Sequence, residues 1–193
     1  METKANLAIL GFSDAVAFAS WLRNEPTSTP GLWLKMAKKG SGISSLTKAE
    51  AIDVALCHGW IDGQLEKYDS QCWLIRFTPR KARSKWSEVN RTRAIELIDA
   101  GRMVAAGLAQ VEAAKTDGRW DAAYAPASRA NVPPDLQAAL DANIKAAKFF
   151  ATLTGANRYA VLYRIGAAKK AVTRARKIES FVAMLERGET FHG

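Results

Sequence analysis

The sequence predicts an α+β fold: a small antiparallel sheet flanked by helices over residues 1–125, followed by an all-helical module over residues 126–193. Three observations predict it. Across residues 60–78 apolar and polar side chains alternate in two short runs, the period of strands half covered by a core. Before and after that stretch, polar cap residues open segments whose apolar positions recur at helical spacing. From Pro134 onward the apolar stripes keep that spacing and are punctuated by Asn143, Gly155 and Gly188.

Taken in order, Ser13 is the expected N-cap of a helix over residues 14–24, with Val16, Ala17 and Trp21 on its apolar side and Phe12 folding against Phe18. Pro26 and Pro30 forbid its continuation. Residues 31–38 read as a strand, and residues 39–42 as a flexible turn. Thr47 and Glu50 make a capping box, the hydroxyl accepting the Glu50 amide and the carboxylate returning to the cap. Its helix carries Ala51, Ile52, Ala55 and Leu56, and Gly59 ends it in the left-handed conformation, leaving Cys57 and His58 in the last turn.

Residues 60–67 and 72–78 then pair as a hairpin through Tyr68-Asp69-Ser70-Gln71, with residues 31–38 as a third strand. Strict alternation puts Ile61 and Leu65 on one face, with Trp60, Asp62, Gln64 and Glu66 opposite. On the second strand it separates Trp73, Ile75 and Phe77 from Cys72, Leu74, Arg76 and Thr78. Ser84 or Ser87 caps a helix bearing Val89, Ile95, Leu97 and Ile98 that stops at Gly101. Another spans residues 103–115, and residues 119–134 form a proline-bearing linker or a strap packed by Trp120 and Tyr124. Pro134 suits the first turn of a helix, Asn143 caps the next, and Ile178, Phe181, Val182 and Leu185 give the last helix its apolar face.

At 193 residues, with 48% hydrophobic and 24% charged side chains, the chain has enough apolar surface for a real core, which argues against extended disorder. A formal net charge of +9 directs attention to anionic partners: a small anionic ligand, nucleic acid or an acidic protein. Two cysteines and two histidines make neither a disulfide framework nor a zinc site, so no metal and no cofactor is expected. Buried, reduced thiols suit a reducing compartment, and a cytoplasmic location is the expectation. No apolar run approaches the ~18–20 residues of a transmembrane segment. Ala17-Phe18-Ala19 mimics a signal-cleavage site, but the apolar stretch before it is short and broken by Ser13-Asp14, as in an ordinary first helix.

Candidate binding residues concentrate in the hairpin and the turn after it. Asp62 and Arg76 on facing strands, with Trp60 and Gln64 alongside, bring together the ingredients of a small-molecule or peptide site. The plainer reading is a cross-strand ion pair beside packed tryptophans, worth under about 1 kcal/mol if exposed. Arg80, Lys81, Arg83 and Lys85 run up to Trp86, with Asn90 at the end of the stretch. Phosphate contacts plus stacking on Trp86 would suit single-stranded nucleic acid. The plainer reading here is a solvated basic turn with Trp86 in the core. Cys57 as nucleophile with a His58–Asp62 base pair would make an enzyme, but adjacent residues leave a helix about 100° apart. His58 is well explained as a complement to the helix C-terminus, and no catalytic residue is assigned. Lys169, Lys170, Arg174, Arg176 and Lys177 cluster at a helix joint, as a docking patch or as complements to helix ends.

The runs LTKAEAIDVALCHGWIDGQ, WLIRFTPRKARSKWSEVN, GRM and GRWDAAY, with the C-terminal NRYAVLYRIGAAKKAVTRARKIESFVAMLERG, resemble the YdeI/OmpD-associated family, also described as bacteriocin-protection proteins. The resemblance spans nearly the whole chain. It implies a non-enzymatic bacterial stress protein that protects against cationic antimicrobial peptides by binding, and it brings no catalytic residues. Two alternatives stand beside it: nucleic-acid binding through the basic aromatic turn 76–86, and a small-molecule enzyme around Asp62 and Arg76. A simple electrostatic trap for cationic peptides runs against the chain's own positive charge.

Overall fold

The computed structural model describes residues 2–25, 28–126 and 129–192 of the chain. The chain folds as two compact units, Met1–Tyr124 and Ala125–Gly193. The fold is α+β, as its sequence predicts.

In the first unit the described residues form β1 (Thr3–Lys4), β2 (Leu7–Gly11), α1 (Ala15–Asn24), β3 (Leu32–Ala37), α2 (Lys48–Cys57), β4 (Trp60–Lys67), β5 (Cys72–Pro79), α3 (Glu88–Asp99) and α4 (Ala105–Thr116). The sheet order is β1-β2-β3-β5-β4. The three expected strands lie together and are antiparallel. The sheet is nevertheless mixed and five-stranded, because β2 joins β3 in parallel and β1 folds back on β2. The Leu-Ala-Ile-Leu-Gly run of β2 has no alternation to mark it as a strand, and its pairing depends on β3 across the α1 crossover.

One face of the sheet carries Leu32, Leu34, Met36, Ile75 and Phe77 against Phe18 and Leu22 of α1 and Val54 and Ala55 of α2. A smaller cluster on the other face joins Leu7, Trp33 and Leu74. A third core packs the end of α2 against α3 and α4 through Leu56, Trp86, Leu97, Val111 and Trp120. That approach depends on Gly107, where an added Cβ would fall 2.3 Å from the Cys57 carbonyl oxygen. Asp53, buried on α2, accepts from Arg93 Nε on α3 at 2.6 Å, while Arg93 Nη2 bonds its second oxygen. Arg102 completes this staple, with Nη1 3.5 Å from Asp53 Oδ2.

The caps show which local signals won. Asp14, not Ser13, caps α1: its carboxylate accepts the Ala17 amide at 2.9 Å, and Ser13 Oγ donates to the same carboxylate. A charged acceptor outcompetes a hydroxyl for the free amides of the first turn. Phe12 does pack on Phe18, with centroids 5.2 Å apart. Pro26, the other expected feature of this helix end, lies outside the described residues. The Thr47–Glu50 box forms with both reciprocal bonds, and Gly59 ends α2 at φ +76°. Of the two serines, Ser87 caps α3 through the Asn90 amide, whereas Ser84 Oγ accepts from the Lys81 amide and closes the basic turn. Residues 119–124 are a strap: Trp120 meets Trp86 edge-on at 4.9 Å, and Tyr124 bonds the backbone on both sides of Ser87. Residues 127 and 128 of the same segment lie outside the described residues.

The second unit contains α5 (Pro134–Asp141), α6 (Ile144–Thr152), α7 (Gly155–Gly166) and α8 (Ala171–Glu186). Pro134 stands at the start of α5, and Asn143 caps α6 through the Ala146 amide at 3.0 Å. Leu136, Leu140, Phe150, Ile165 and Leu185 form the core, with Phe181 packed at its border. Two of the five cations in the basic cluster at the α7–α8 joint are engaged. Arg174 forks onto Asp135 at 2.5 and 2.8 Å and donates to the Ile165 carbonyl, and Lys177 donates to the Arg164 carbonyl. Two of these cations thus complement the C-terminus of α7. Among the described residues no helix is long and apolar enough to cross a membrane.

Candidate functional site

The β4–β5 hairpin contains a bulge that decides where the candidate residues point. Asp62 pairs with Phe77 and Leu65 with Ile75, so Gly63 and Gln64 together oppose the single residue Arg76. One extra residue reverses the inside–outside parity of everything beyond it. Ile61 and Leu65 therefore fall on opposite faces, Ile61 beside Thr78 and Leu65 beside Ile75. Trp60 and Asp62 share the face of Phe77, while Arg76 pairs with Trp33 and belongs to the other face. The expected wall of Asp62 and Arg76 with Trp60 does not form. Trp60 is in the core, edge-on to Trp21 at 5.8 Å, and Asp62 accepts from Asn90 Nδ2 at 3.5 Å.

Four of the predicted residues do come together. Gln64, Arg76, Arg80 and Lys81 line a cleft of about 580 Å³, joined by residues 28–30 and by Gly63, Thr78 and Pro79. Among the described residues its lining has three cationic side chains and no carboxylate. The sequence pattern gave no sign of Ser28 and Thr29, which come from the segment entering β3. They reach the site because Gly31 adopts φ +111° against β5, where an added Cβ would lie 2.3 Å from the Phe77 carbonyl oxygen. Pro30-Gly31 next to a strand and Gly63 inside one were the available signals of this close approach.

Arg80 is the least ordinary member of the cleft. Only 6% of it is exposed, and its guanidinium carbon sits 3.7 Å from the centroid of the Trp86 ring. Nη1 donates to the Lys85 carbonyl at 3.3 Å, whereas among the described residues Nε and Nη2 are buried without a partner, as is Arg76 Nε. Burial pushes the Arg80 pKa down to about 10, and the charge of Asp62 opposes that shift.

The same geometry removes the stacking platform from the nucleic-acid reading. Trp86 is 1% exposed, covered by Arg80 and by Trp120. Arg83 is exposed and does not line the cleft. The proposed nucleophile also lacks support: burial pushes the Cys57 thiol up, the direction opposite to activation, and His58 Nδ1 lies 2.9 Å from the Val54 carbonyl.

A second concavity lies within the helical unit, a groove of about 620 Å³ between α5 and α8. Ala171, Ala175, Ile178 and Val182 repeat along α8 as its apolar wall, facing Ala139 and Ala142. Asp135, Glu179 and Glu186 also line it, with Arg174 forked onto Asp135. They are three of this unit's five carboxylates, the others being Asp141 and Glu189, set against eleven Lys and Arg in residues 125–193.

By its fold the chain is an α+β unit followed by a unit of helices. It belongs to the family described as a domain of unknown function (DUF8412), whose model matches residues 10–110, just over half of the chain. Residues 129–188, the helical unit, match the family described as bacteriocin-protection, YdeI or OmpD-associated. The resemblance drawn across nearly the whole sequence is therefore carried by the helical unit, while a separate family model covers most of the first. No curated protein and no solved structure matches the chain.

Proposed function

We infer that this chain is a bacteriocin-protection protein that acts by binding, and that the groove between α5 and α8 receives a cationic, amphipathic helical peptide. The observation that carries this reading is the coincidence of the groove with the helices matched by the bacteriocin-protection family. The charge of the groove also supports this reading. A protein of net charge +9 repels a cationic peptide at long range, but here an apolar floor is bordered by Glu179 and Glu186, so the local sign is reversed. The α8 repeat suits a peptide that presents anchors at i, i+3, i+4 and i+7. A cytoplasmic, reducing setting belongs to the same proposal and is supported by two buried, unpaired thiols. Of the two alternatives, one has lost its exposed indole and the other its facing Asp62 and Arg76.

Titration of the full chain with a cationic amphipathic helix of about 20 residues, and with an analogue in which each Lys is Glu, tests the reading. The cationic peptide is expected to bind and the analogue not, with affinity falling as salt is added. The double variant Ala175→Arg, Glu179→Lys changes two exposed α8 positions and should weaken binding at least about tenfold without lowering the thermal midpoint. Equal binding of both peptides, or unchanged affinity in the double variant, would remove the groove from consideration.

A further inference from the structure

We propose that the cleft formed by the hairpin bulge, the start of the basic turn and residues 28–30 binds a phosphate monoester carried on a small organic molecule, held by Arg76, Arg80 and Lys81. Three features of the first unit carry this, independently of the peptide groove. The first is charge: among the described residues the lining holds three cations and no acid. The nearby carboxylate, Asp62, is turned to Asn90 rather than bonded to either arginine.

The second is incomplete pairing. Buried guanidinium groups are normally matched by acceptors, because burying an unpaired charge is costly. Among the described residues Arg80, only 6% exposed, finds no acceptor for Nε and Nη2, and Arg76 Nε has none either. An oxyanion in the cleft, which both residues line, would offer acceptors that the chain itself withholds. Trp86 beneath the Arg80 plane holds the fork in place before any ligand arrives, which reduces the ordering required on binding.

The third is the match of donors and space. A phosphate monoester has a charge near −2 and three terminal oxygens, whereas a carboxylate has one charge and two oxygens. Three cations, the hydroxyls of Ser28, Thr29 and Thr78 and the Gln64 amide fit the former better. A volume of about 580 Å³ is that of a pocket for a small organic ligand and exceeds what a bare phosphate fills. A nucleic-acid strand fits less well, since the adjacent indole is already covered.

Calorimetric titration of the full chain with phenyl phosphate, inorganic phosphate, benzoate and a single-stranded oligonucleotide tests the assignment. Phenyl phosphate is expected to bind about tenfold more tightly than inorganic phosphate, and benzoate negligibly. Arg76→Gln and Lys81→Ala, at positions that keep solvent contact, should each weaken phenyl phosphate by about tenfold while leaving the ligand-free thermal midpoint in place. Arg80→Lys, which keeps the charge and loses the fork, should weaken it further. The proposal is overturned by no heat from either phosphate at about 10 mM, by benzoate matching phenyl phosphate, or by Arg76→Gln and Lys81→Ala binding like the wild type. Tight, steeply salt-dependent oligonucleotide binding without phenyl phosphate binding would also overturn it, in favour of a polyanion surface.

Discussion

Arg80 and Asp53 show two ways of burying a charged side chain in the same unit. Asp53 is met by Arg93 and, at longer range, by Arg102, so its charge joins α2 to the elements beside it. Arg80 has an aromatic face and one carbonyl, and two of its nitrogens go without acceptors. A group arranged this way is retained against stability. Its folded pKa lies below the ordinary arginine value, so between about 10 and that value the native state releases a proton that the unfolded chain keeps, and stability from this group rises with pH. At neutral pH the full burial penalty is present. Arg80→Met, which still covers Trp86, should therefore raise the free energy of unfolding by about 1–3 kcal/mol, read from urea denaturation at pH 7. A fall in stability would mean that Arg80 is a structural residue and that its stacking on Trp86 outweighs its missing partners.

At the scale of the element, local chemistry was legible wherever neighbours in sequence settle it. The Thr47–Glu50 box, the left-handed Gly59, the Asn143 cap and the Pro134 start need only a few adjacent residues, and all are present. The hairpin strands were legible from their alternation, but the faces were not, because a one-residue bulge at Gly63–Gln64 inverts parity without altering the strand signal. Gln64, Arg76, Arg80 and Lys81, all candidates by sequence, line one cleft, whereas the bulge leaves Asp62 and Trp60 on the face opposite Arg76. The contribution of Ser28 and Thr29 was hidden, since it depends on a long-range approach of residue 31 to β5. The capping box carries its own prediction. The Thr47 amide and hydroxyl hold the Glu50 carboxyl below its ordinary value of 4.5. A carboxyl with a depressed folded pKa contributes stability above its unfolded value, and that contribution is lost as pH falls through the folded one. Glu50→Gln, which cannot ionise, should be less stable than the wild type at pH 7. Thermal melts between about pH 5 and about pH 2 should show the difference shrinking. A gap independent of pH would assign the cap to the hydroxyl alone.

For the whole molecule, the division into two units with separate hydrophobic clusters predicts two unfolding events rather than one. The sequence supplies probes that tell them apart. All six tryptophans, at positions 21, 33, 60, 73, 86 and 120, lie in the first unit, so indole fluorescence follows that unit alone, whereas far-ultraviolet circular dichroism follows the helices of both. Asp53→Asn weakens the staple from α2 to α3 and should lower the fluorescence midpoint, by about 2 kcal/mol of stability for a charge-assisted pair. Arg174→Gln cuts the fork from α8 to Asp135 on α5 and should leave the fluorescence midpoint unchanged while part of the dichroism signal melts earlier. The same melts bear on both binding proposals, because ligand binding to one folded unit raises the transition of that unit. Phenyl phosphate should then move the fluorescence transition, and the cationic peptide should move the part of the dichroism signal that Arg174→Gln displaces. If Arg174→Gln instead shifts both signals equally, the two units unfold as one cooperative body and neither ligand can be assigned to a unit by its melt.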